Sequence, residues 1–391
     1  MIPAALAIFF GVSGGLTSIG PIAGGYLVQW TWRAIFWINV PVAIAAVVVT
    51  LLAGIKEQPA RERIDIPGAV LVAAGMALSV LGLQQAPTWG WSSGRTWGCI
   101  IGGFVLLVVF AVVEMRTRIP LIKVRIFAER AFLVDNIVLF LSMIAFVPVF
   151  FFASVYAQLS LGYDASQAGL YLLTFFAGFA PAAQIGGRML DSGGARRPVI
   201  IGCALSVVGF ALWGWSVPDL RFGNQWYWVV LAGAGIGMLL GPVSTDATNR
   251  AINASYGEVT GITQTVRNYG STLGIAVLST VLSHVLVGRL TDSFVTLGLP
   301  REQAAGYATS ASNFSGGSRS DALNQVPEFL RSGVLYIIRH DFGYATRIVF
   351  YGMAVALALA LVAAVLHPGT RVMDPTQERA GADRPTGPTD S

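Results

Sequence analysis

A few ionisable residues lie within or at the ends of long apolar stretches of this 391-residue chain. Asp246 is followed four residues later by Arg250, and Asp135 stands near Arg130. An ionisable side chain inside an apolar span is expensive to bury, so it marks a candidate ion or proton pathway. The i,i+4 spacing of Asp246 and Arg250 fits a local ion pair equally well. His284, near the opposite end of a span, is interpreted as an interfacial residue.

Uncharged polar and aromatic side chains in the same stretches complete the candidates for a substrate or proton path. A wide, mostly apolar cavity with a few such groups suits amphipathic ligands. Each of these side chains fits an interhelical hydrogen bond equally well. Together with Asp246 they are Asn39, Tyr156, Gln158, Tyr171, Gln184 and Gln264.

The chain shows no pattern typical of an enzyme. It contains no phosphate-binding P-loop, no paired His/Glu metal motif and no Ser/His/Asp grouping. Cys99 and Cys203 lie within or beside apolar runs and lack metal or disulfide spacing. We therefore predict a protein that is not an enzyme, has no metal or organic cofactor, and depends on an ion gradient for energy.

The composition is that of an integral membrane protein. Hydrophobic residues make up 54% of the chain and charged residues 12%, about half of the roughly 25% typical of soluble domains. The mean hydropathy is +0.66. Disorder, a disulfide scaffold and a soluble nucleic-acid binder are disfavoured. The net charge of +5 resides mostly in short loops between apolar spans, so no nucleic-acid partner is expected.

Apolar runs long enough to cross a bilayer predict an all-α membrane protein with about ten transmembrane helices, since a helix needs about 20 apolar residues to do so. The predicted spans are 4–28, 33–54, 66–84, 97–114, 132–157, 166–188, 197–217, 226–247, 259–287 and 343–366.

Lysine and arginine concentrate in the even-numbered short loops, so these loops and both termini are predicted to be cytoplasmic. On this orientation residues 288–342 form a long extracytoplasmic loop. The polar, Pro-rich segment after the last span is predicted to be disordered.

Two motifs stand in the first two spans. The first span carries Gly11, Gly15, Gly20, Pro21, Gly24 and Gly25. Glycines four apart allow helix backbones to approach closely, and proline bends the helix. The sequence Trp32-Arg33-x-x-Phe36 opens the next span. In this combination the chain resembles the major facilitator superfamily, in particular its fourteen-helix drug:proton antiporter branch, in which Gly-Pro-x-x-Gly-Gly is the antiporter motif of the fifth span.

A further motif, in the C-terminal half, lies between two spans. It consists of Gly187, Arg188, Asp191, Gly194, Arg196 and Arg197. It resembles the gating loop of the superfamily, although Ser192 replaces the arginine that usually follows the aspartate. The resemblance implies ion pairs between helices that break as the two halves of a transporter rock apart. Gly270-xxx-Gly274 also echoes Gly20-xxx-Gly24, as expected of a duplicated fold.

The resemblance implies a partial major facilitator fold without the first four helices. Residues 1–54 would be the last two helices of the N-terminal half. Residues 55–131 would be two linker helices and a cytoplasmic amphipathic segment, Pro120-Leu121-Ile122-Lys123-Val124-Arg125-Ile126-Phe127. Residues 132–366 would be the C-terminal six-helix half, and residues 367–391 a cytoplasmic tail.

The resemblance also implies a function. The expected protein is a multi-pass transporter of the cell (inner) membrane that exports small amphipathic compounds in exchange for protons by alternating access. The lipid bilayer, those compounds and protons are its expected partners, with a periplasmic adaptor added if the source is Gram-negative. The alternative is a truncated membrane fragment with no transport activity of its own.

Overall fold

A computed structural model describes residues 20, 23–28, 30–53, 65–117, 126, 128–250, 256–312 and 331–369. Nine helices within these residues are long and apolar enough to cross a membrane. Most of the predicted first span, 4–28, lies outside the described residues. The helices are α1 (Ala34–Trp37), α2 (Asn39–Ala53), α3 (Ile66–Trp89), α4 (Gly94–Arg116), α5 (Arg130–Leu159), α6 (Ala165–Gly193), α7 (Arg196–Ser216), α8 (Trp226–Asn249), α9 (Tyr256–Thr296), α10 (Arg301–Ser312) and α11 (Arg331–Val365).

The all-α fold is confirmed, and most predicted boundaries agree with the observed helices to within a few residues. The larger differences are at helix ends. Helix α6 continues to Gly193, so most of the predicted gating loop is helical and the turn is reduced to Gly194 and Ala195. Gly194 has φ of 81°, a conformation that glycine adopts without strain.

Residues 288–342 are not a continuous loop. Helix α9 continues to Thr296, α10 follows, and α11 already begins at Arg331. Hydropathy marks only the apolar centre of a helix, whereas backbone hydrogen bonds carry it on through polar residues. The prediction of a disordered tail from residue 367 onwards is wrong for His367, which is only 4% exposed. Residues 370–391 lie outside the described part of the chain.

The core lies among α5, α6, α7, α8 and α11. Trp213 of α7 and Phe350 of α11 are fully buried, with ring centroids 4.3 Å apart. Helix α6 begins with a capping box, in which Asp164 accepts a hydrogen bond from the backbone N–H of Gln167. This bond holds the pKa of the Asp164 carboxyl below its usual range.

Glycines bring several pairs of the described helices into backbone contact. A Cβ on Gly178 of α6 would overlap the carbonyl oxygen of Val230 on α8, and a Cβ on Gly233 of α8 would overlap that of Phe175 on α6. Helices α7 and α8 meet at Gly202 and Gly235. Helix α9 meets α5 in the same way, at Gly270 and Gly274. These contacts are the close helix packing that small residues permit.

The antiporter-motif glycines behave differently. Gly11, Gly15 and Pro21 lie outside the described residues. A Cβ on Gly20 or Gly24 would meet no atom within 4 Å among the described residues, whereas one on Gly25 would lie 2.7 Å from the carbonyl oxygen of Ala165. Among the described residues, therefore, Gly20 and Gly24 do not bring two helices together as expected. Gly25 lies about 100° further round a helix, and its face meets the start of α6.

Helices α3 and α4 form a hairpin that docks on α9. The indole N–H of Trp91, in the turn of the hairpin, donates to Thr280 Oγ1 at 2.8 Å, and the hydroxyls of Ser79 and Tyr269 are hydrogen-bonded. Helix α2, by contrast, has no buried residue. The hairpin is thus attached to the C-terminal helices, while α2 presents its apolar surface outward.

The backbone contact at Gly233 makes a stability prediction. Gly233→Leu should lower the free energy of unfolding by at least about 1–3 kcal/mol, since the new side chain must displace the α6 backbone. Gly261→Leu is the matched control, because a Cβ there meets nothing within 4 Å among the described residues. Thermal unfolding of the two purified variants in detergent checks this. Equal melting temperatures would contradict the packing.

Candidate functional site

Four polar residues with ionisable side chains meet at the predicted cytoplasmic end of the helix bundle. We call Asp135, Asp246, Arg250 and His367 the inner cluster. Asp135 lies five residues into α5 and Asp246 three residues before the end of α8, so both are about one turn inside their helices. His367 follows the end of α11 by two residues. All four residues are no more than 6% exposed.

The ion pair within α8 is the tightest contact of the inner cluster. Arg250 Nε lies 2.7 Å from Asp246 Oδ2, and Arg250 Nη1 lies 3.7 Å from Glu129 Oε1. The local ion pair between Asp246 and Arg250 is therefore present. This ion pair is buried, and Arg250 also contacts Glu129 at the start of α5. The arginine therefore links the end of α8 to the start of α5.

His367 connects the two aspartates. Its Nε2 lies 3.2 Å from Asp246 Oδ2 and 3.5 Å from Asp135 Oδ1, although neither contact has the geometry of a hydrogen bond. Its Nδ1 accepts a hydrogen bond from the backbone N–H of Gly369 at 3.1 Å. A ring nitrogen that accepts carries no hydrogen, so the hydrogen-bond network assigns the proton of the neutral ring to Nε2, facing both carboxyl groups.

One oxygen of the inner cluster is left without a partner. Asp135 is 2% exposed, and its Oδ2 has no hydrogen-bond partner. The narrow space beside Asp135 has no room for a water molecule, and its walls are mostly apolar, with Arg196 and His367 as the polar residues that line it besides Asp135. A buried carboxylate oxygen in such surroundings is costly unless it is neutralised.

Asp135, Asp246 and His367 lie close enough together to bind a metal ion. One ligand atom each from Asp135, Asp246 and His367 lie within 4.8 Å of one another. The hydrogen-bond arrangement disfavours a metal ion, because the Nε2–H that faces the aspartates has no free lone pair. Asp246 is also already paired with the permanently charged Arg250.

A second polar network lies at the opposite end of the bundle and contains Tyr156 and Tyr171. Gln225 Nε2 donates to the Tyr156 hydroxyl at 2.7 Å, and that hydroxyl donates to the carbonyl oxygen of Val217 at 2.8 Å. The Tyr171 hydroxyl donates to Gln225 Oε1 at 3.1 Å and accepts from Trp213 Nε1 at 3.0 Å. We call these four side chains the outer network. Their fully paired hydrogen bonds favour the interhelical interpretation of the two tyrosines.

The other predicted path residues do not join either group. Asn39 donates to the carbonyl oxygen of Ile35 in α1, and Gln158 donates to Ser154 one turn back in α5. Gln184 and Gln264 are exposed. In the gating motif a Cβ on Gly187 would meet no atom within 4 Å among the described residues, and Arg188 and Arg197 are exposed. Asp191 is exposed and forms no ion pair within the described part of the chain. Arg196 donates to the carbonyl oxygen of Val365 at 3.1 Å.

The sequence pointed to the two aspartates separately and missed their partners. His367 was assigned to the tail, and Glu129, Gln225 and Trp213 were not singled out. One signal was present: Asp135 near the start of α5 and Asp246 near the end of α8 must lie at the same end of antiparallel neighbours, at similar depth. The sequence contains no comparable signal for His367, whose position depends on where α11 ends.

Comparison with known proteins identifies the family. The sequence profile of the Major Facilitator Superfamily matches residues 2–275, which is more than half of the chain. The chain therefore belongs to this superfamily. With its nine described apolar helices it is a multi-pass protein of a lipid bilayer.

Three relatives show the kind of protein to which the chain is similar. It is 30% identical over 306 residues to the tetracenomycin C resistance and export protein of Streptomyces glaucescens, covering 76% of this chain and 56% of that protein. It is 33% identical over 297 residues to the cephamycin export protein CmcT of Amycolatopsis lactamdurans, covering 72% and 58%. It is 27% identical over 370 residues to the multidrug transporter protein MdtP of Bacillus subtilis, covering 90% and 68%.

Membership of the Major Facilitator Superfamily places the chain among transport proteins rather than enzymes. The chain spans a little over half the length of the first two relatives.

The inner cluster predicts that Arg250 is required for stability. Arg250→Gln leaves Asp246 and Glu129 without their shared cation. Breaking a buried ion pair from one side should lower the free energy of unfolding by about 3–5 kcal/mol. The loss should shrink as the pH falls, since protonation then neutralises the carboxylates.

Arg301→Gln is the matched control. Arg301 is 82% exposed and lies 3.9 Å from Asp292, an arrangement worth about 0–1 kcal/mol. Unfolding curves of both variants, measured at neutral and acid pH, check the prediction. An Arg250→Gln protein as stable as Arg301→Gln at neutral pH would show that the cluster does not stabilise the fold.

Proposed function

We propose that this chain is the greater part of a fourteen-helix secondary transporter that exports small amphipathic compounds in exchange for protons. Its spans then correspond to the fifth through fourteenth helices of that branch, without the first four, and its location is the cell (inner) membrane. Supporting the proposal are the export functions named for its relatives and the order of the motifs along the chain.

The single observation that carries the proton part is the burial of Asp135 and Asp246 inside membrane-spanning helices. Ionisable residues at such positions are costly and typically line ion or proton pathways. Here Asp246 and Glu129 pair with one guanidinium, that of Arg250, and Asp135 lies beside Asp246. An ion gradient is therefore the energy source that the proposal assigns, with no organic cofactor.

The two sequence motifs keep their expected roles in this proposal. Gly25 of the antiporter motif makes its close contact with the start of α6, and the motif then lies at the interface between the two halves. The gating motif spans the end of α6, the turn at Gly194 and the start of α7, and Arg196 links it to the end of α11. In alternating access the contact of Gly25 with α6 would form and break as the two halves move.

The second candidate function is a membrane fragment that does not transport by itself. The observation that favours it is helix α2, which has no buried residue and presents an apolar surface along its length. A complete transporter packs further helices against such a surface. The fragment would then need those helices from another chain.

An efflux assay tests the proposal. Cells that express this chain, with membrane insertion confirmed, should lose a preloaded lipophilic cationic dye severalfold faster than empty-vector cells. A protonophore should abolish the difference, because the proton gradient is the energy source. Asp246→Asn should slow efflux, whereas Asp292→Asn, whose side chain is 73% exposed, should leave it unchanged.

Each result has a distinct meaning. Efflux no faster than in empty-vector cells would overturn autonomous export and favour the fragment. Efflux that persists with the protonophore would overturn proton coupling and leave export standing.

A further inference from the structure

The inner cluster contains more acidic groups than permanent cations. Glu129, Asp135 and Asp246 face it from α8 and the start of α5. Arg250 forms ion pairs with Glu129 and Asp246, and among the described residues Asp135 has no arginine or lysine within 4 Å, its ion-pair contact being His367. Arg196 of α7 lies nearby, but its guanidinium donates to the end of α11. His367 is neutral in the arrangement observed, since its Nδ1 accepts a hydrogen bond.

Asp135 and Asp246 are adjacent buried carboxyl groups, and Asp246 is the one that Arg250 pairs with, at 2.7 Å. Burial and the negative charge of Asp246 disfavour the charged form of Asp135 and favour binding of a proton there. Asp135 Oδ2 is the atom that lacks a partner. One oxygen of each aspartate lies within 4.8 Å of the other, so a proton can be held between them, as in other pairs of carboxyl groups that share one proton.

We propose that Asp135 and Asp246 hold one exchangeable proton between them and that His367 closes this site, so that the end of α11 is latched to α5 and α8 only while the proton is bound. The inference rests on the proposed function, because it assigns the coupling proton to particular atoms.

The geometry selects a proton over a larger cation. The space beside Asp135 has no room for a water molecule, so neither a hydrated ion nor a water ligand fits. His367 presents an N–H rather than a lone pair to the two aspartates. A proton, unlike a metal ion, binds to a carboxyl oxygen without needing a cavity or a movement of the surrounding heavy atoms.

Loss of the proton changes the balance at the latch. Two carboxylates then face each other and Glu129 across one guanidinium, and repulsion between them favours separation of α5 from α8. The contact of His367 with both aspartates requires the two helices to stay together. Deprotonation should therefore free residues 366–369 from the bundle.

Infrared difference spectroscopy of the full-length protein tests the shared proton without any transport measurement. When the pH is raised, wild-type protein in lipid vesicles should lose the C=O stretching band of a protonated carboxylic acid. Asp135→Asn and Asp246→Asn should each abolish this band loss, and the exposed Asp292→Asn should retain it. A band loss that persists in Asp135→Asn would overturn the proposal, as would one produced by sodium at constant pH.

Hydrogen exchange tests the latch. Exchange at residues 364–369 should rise in wild-type protein at the pH where the infrared band disappears. In His367→Gln it should be high at every pH, whereas His284→Gln, an exposed histidine, should behave as wild type. Slow exchange in His367→Gln would overturn the latch. Size-exclusion profiles and circular dichroism establish that the variants are folded.

The two proposals fail separately. If Asp135→Asn removes the infrared signal but the wild-type chain exports no dye, export is lost and the proton site stands. If export is proton-driven but the signal survives in Asp135→Asn, the proton site is wrong and export stands.

Discussion

Within a lipid bilayer every polar group must find its partner inside the protein, and the arrangement of the C-terminal helices follows from this constraint. The charges of Asp246 and Arg250 are neutralised by one another at 2.7 Å. The remaining carboxyl of Asp135 must be accommodated nearby, which brings the start of α5 to the end of α8. His367 completes the contact from α11, so three helix ends converge on one buried pair.

The two ends of the bundle satisfy the constraint differently. In the outer network the two tyrosine hydroxyls, the Gln225 side chain and the Trp213 indole N–H are all paired. Such a network fixes one arrangement of α5, α6, α7 and α8. The inner cluster leaves Asp135 Oδ2 unpaired and contains groups that exchange protons. One end is therefore fixed by neutral hydrogen bonds, and the other depends on protonation.

The amino-acid sequence predicted what depends on local pattern. Hydropathy located the apolar helices, and the i,i+4 spacing identified the pair of Asp246 and Arg250. The sequence did not predict contacts that depend on which faces of two helices meet. Gly24 was favoured by its spacing from Gly20, yet Gly25 makes the contact. His367 looked like the start of a polar tail because nothing local indicates that two aspartates from other helices surround it.

The glycine contacts explain why a change of charge at the inner cluster would move helices rather than side chains alone. Helix α8 is in backbone contact with α6 at Gly233 and with α7 at Gly235, and α9 is in backbone contact with α5 at Gly274. Interiors packed at this density do not deform continuously. Asp246 belongs to the first of these contacts and Asp135 to the second. Repulsion between the two carboxylates would therefore act between α8 and α5, two helices of the C-terminal half that the outer network joins at their opposite ends, and it would act on whole helices rather than on side chains alone.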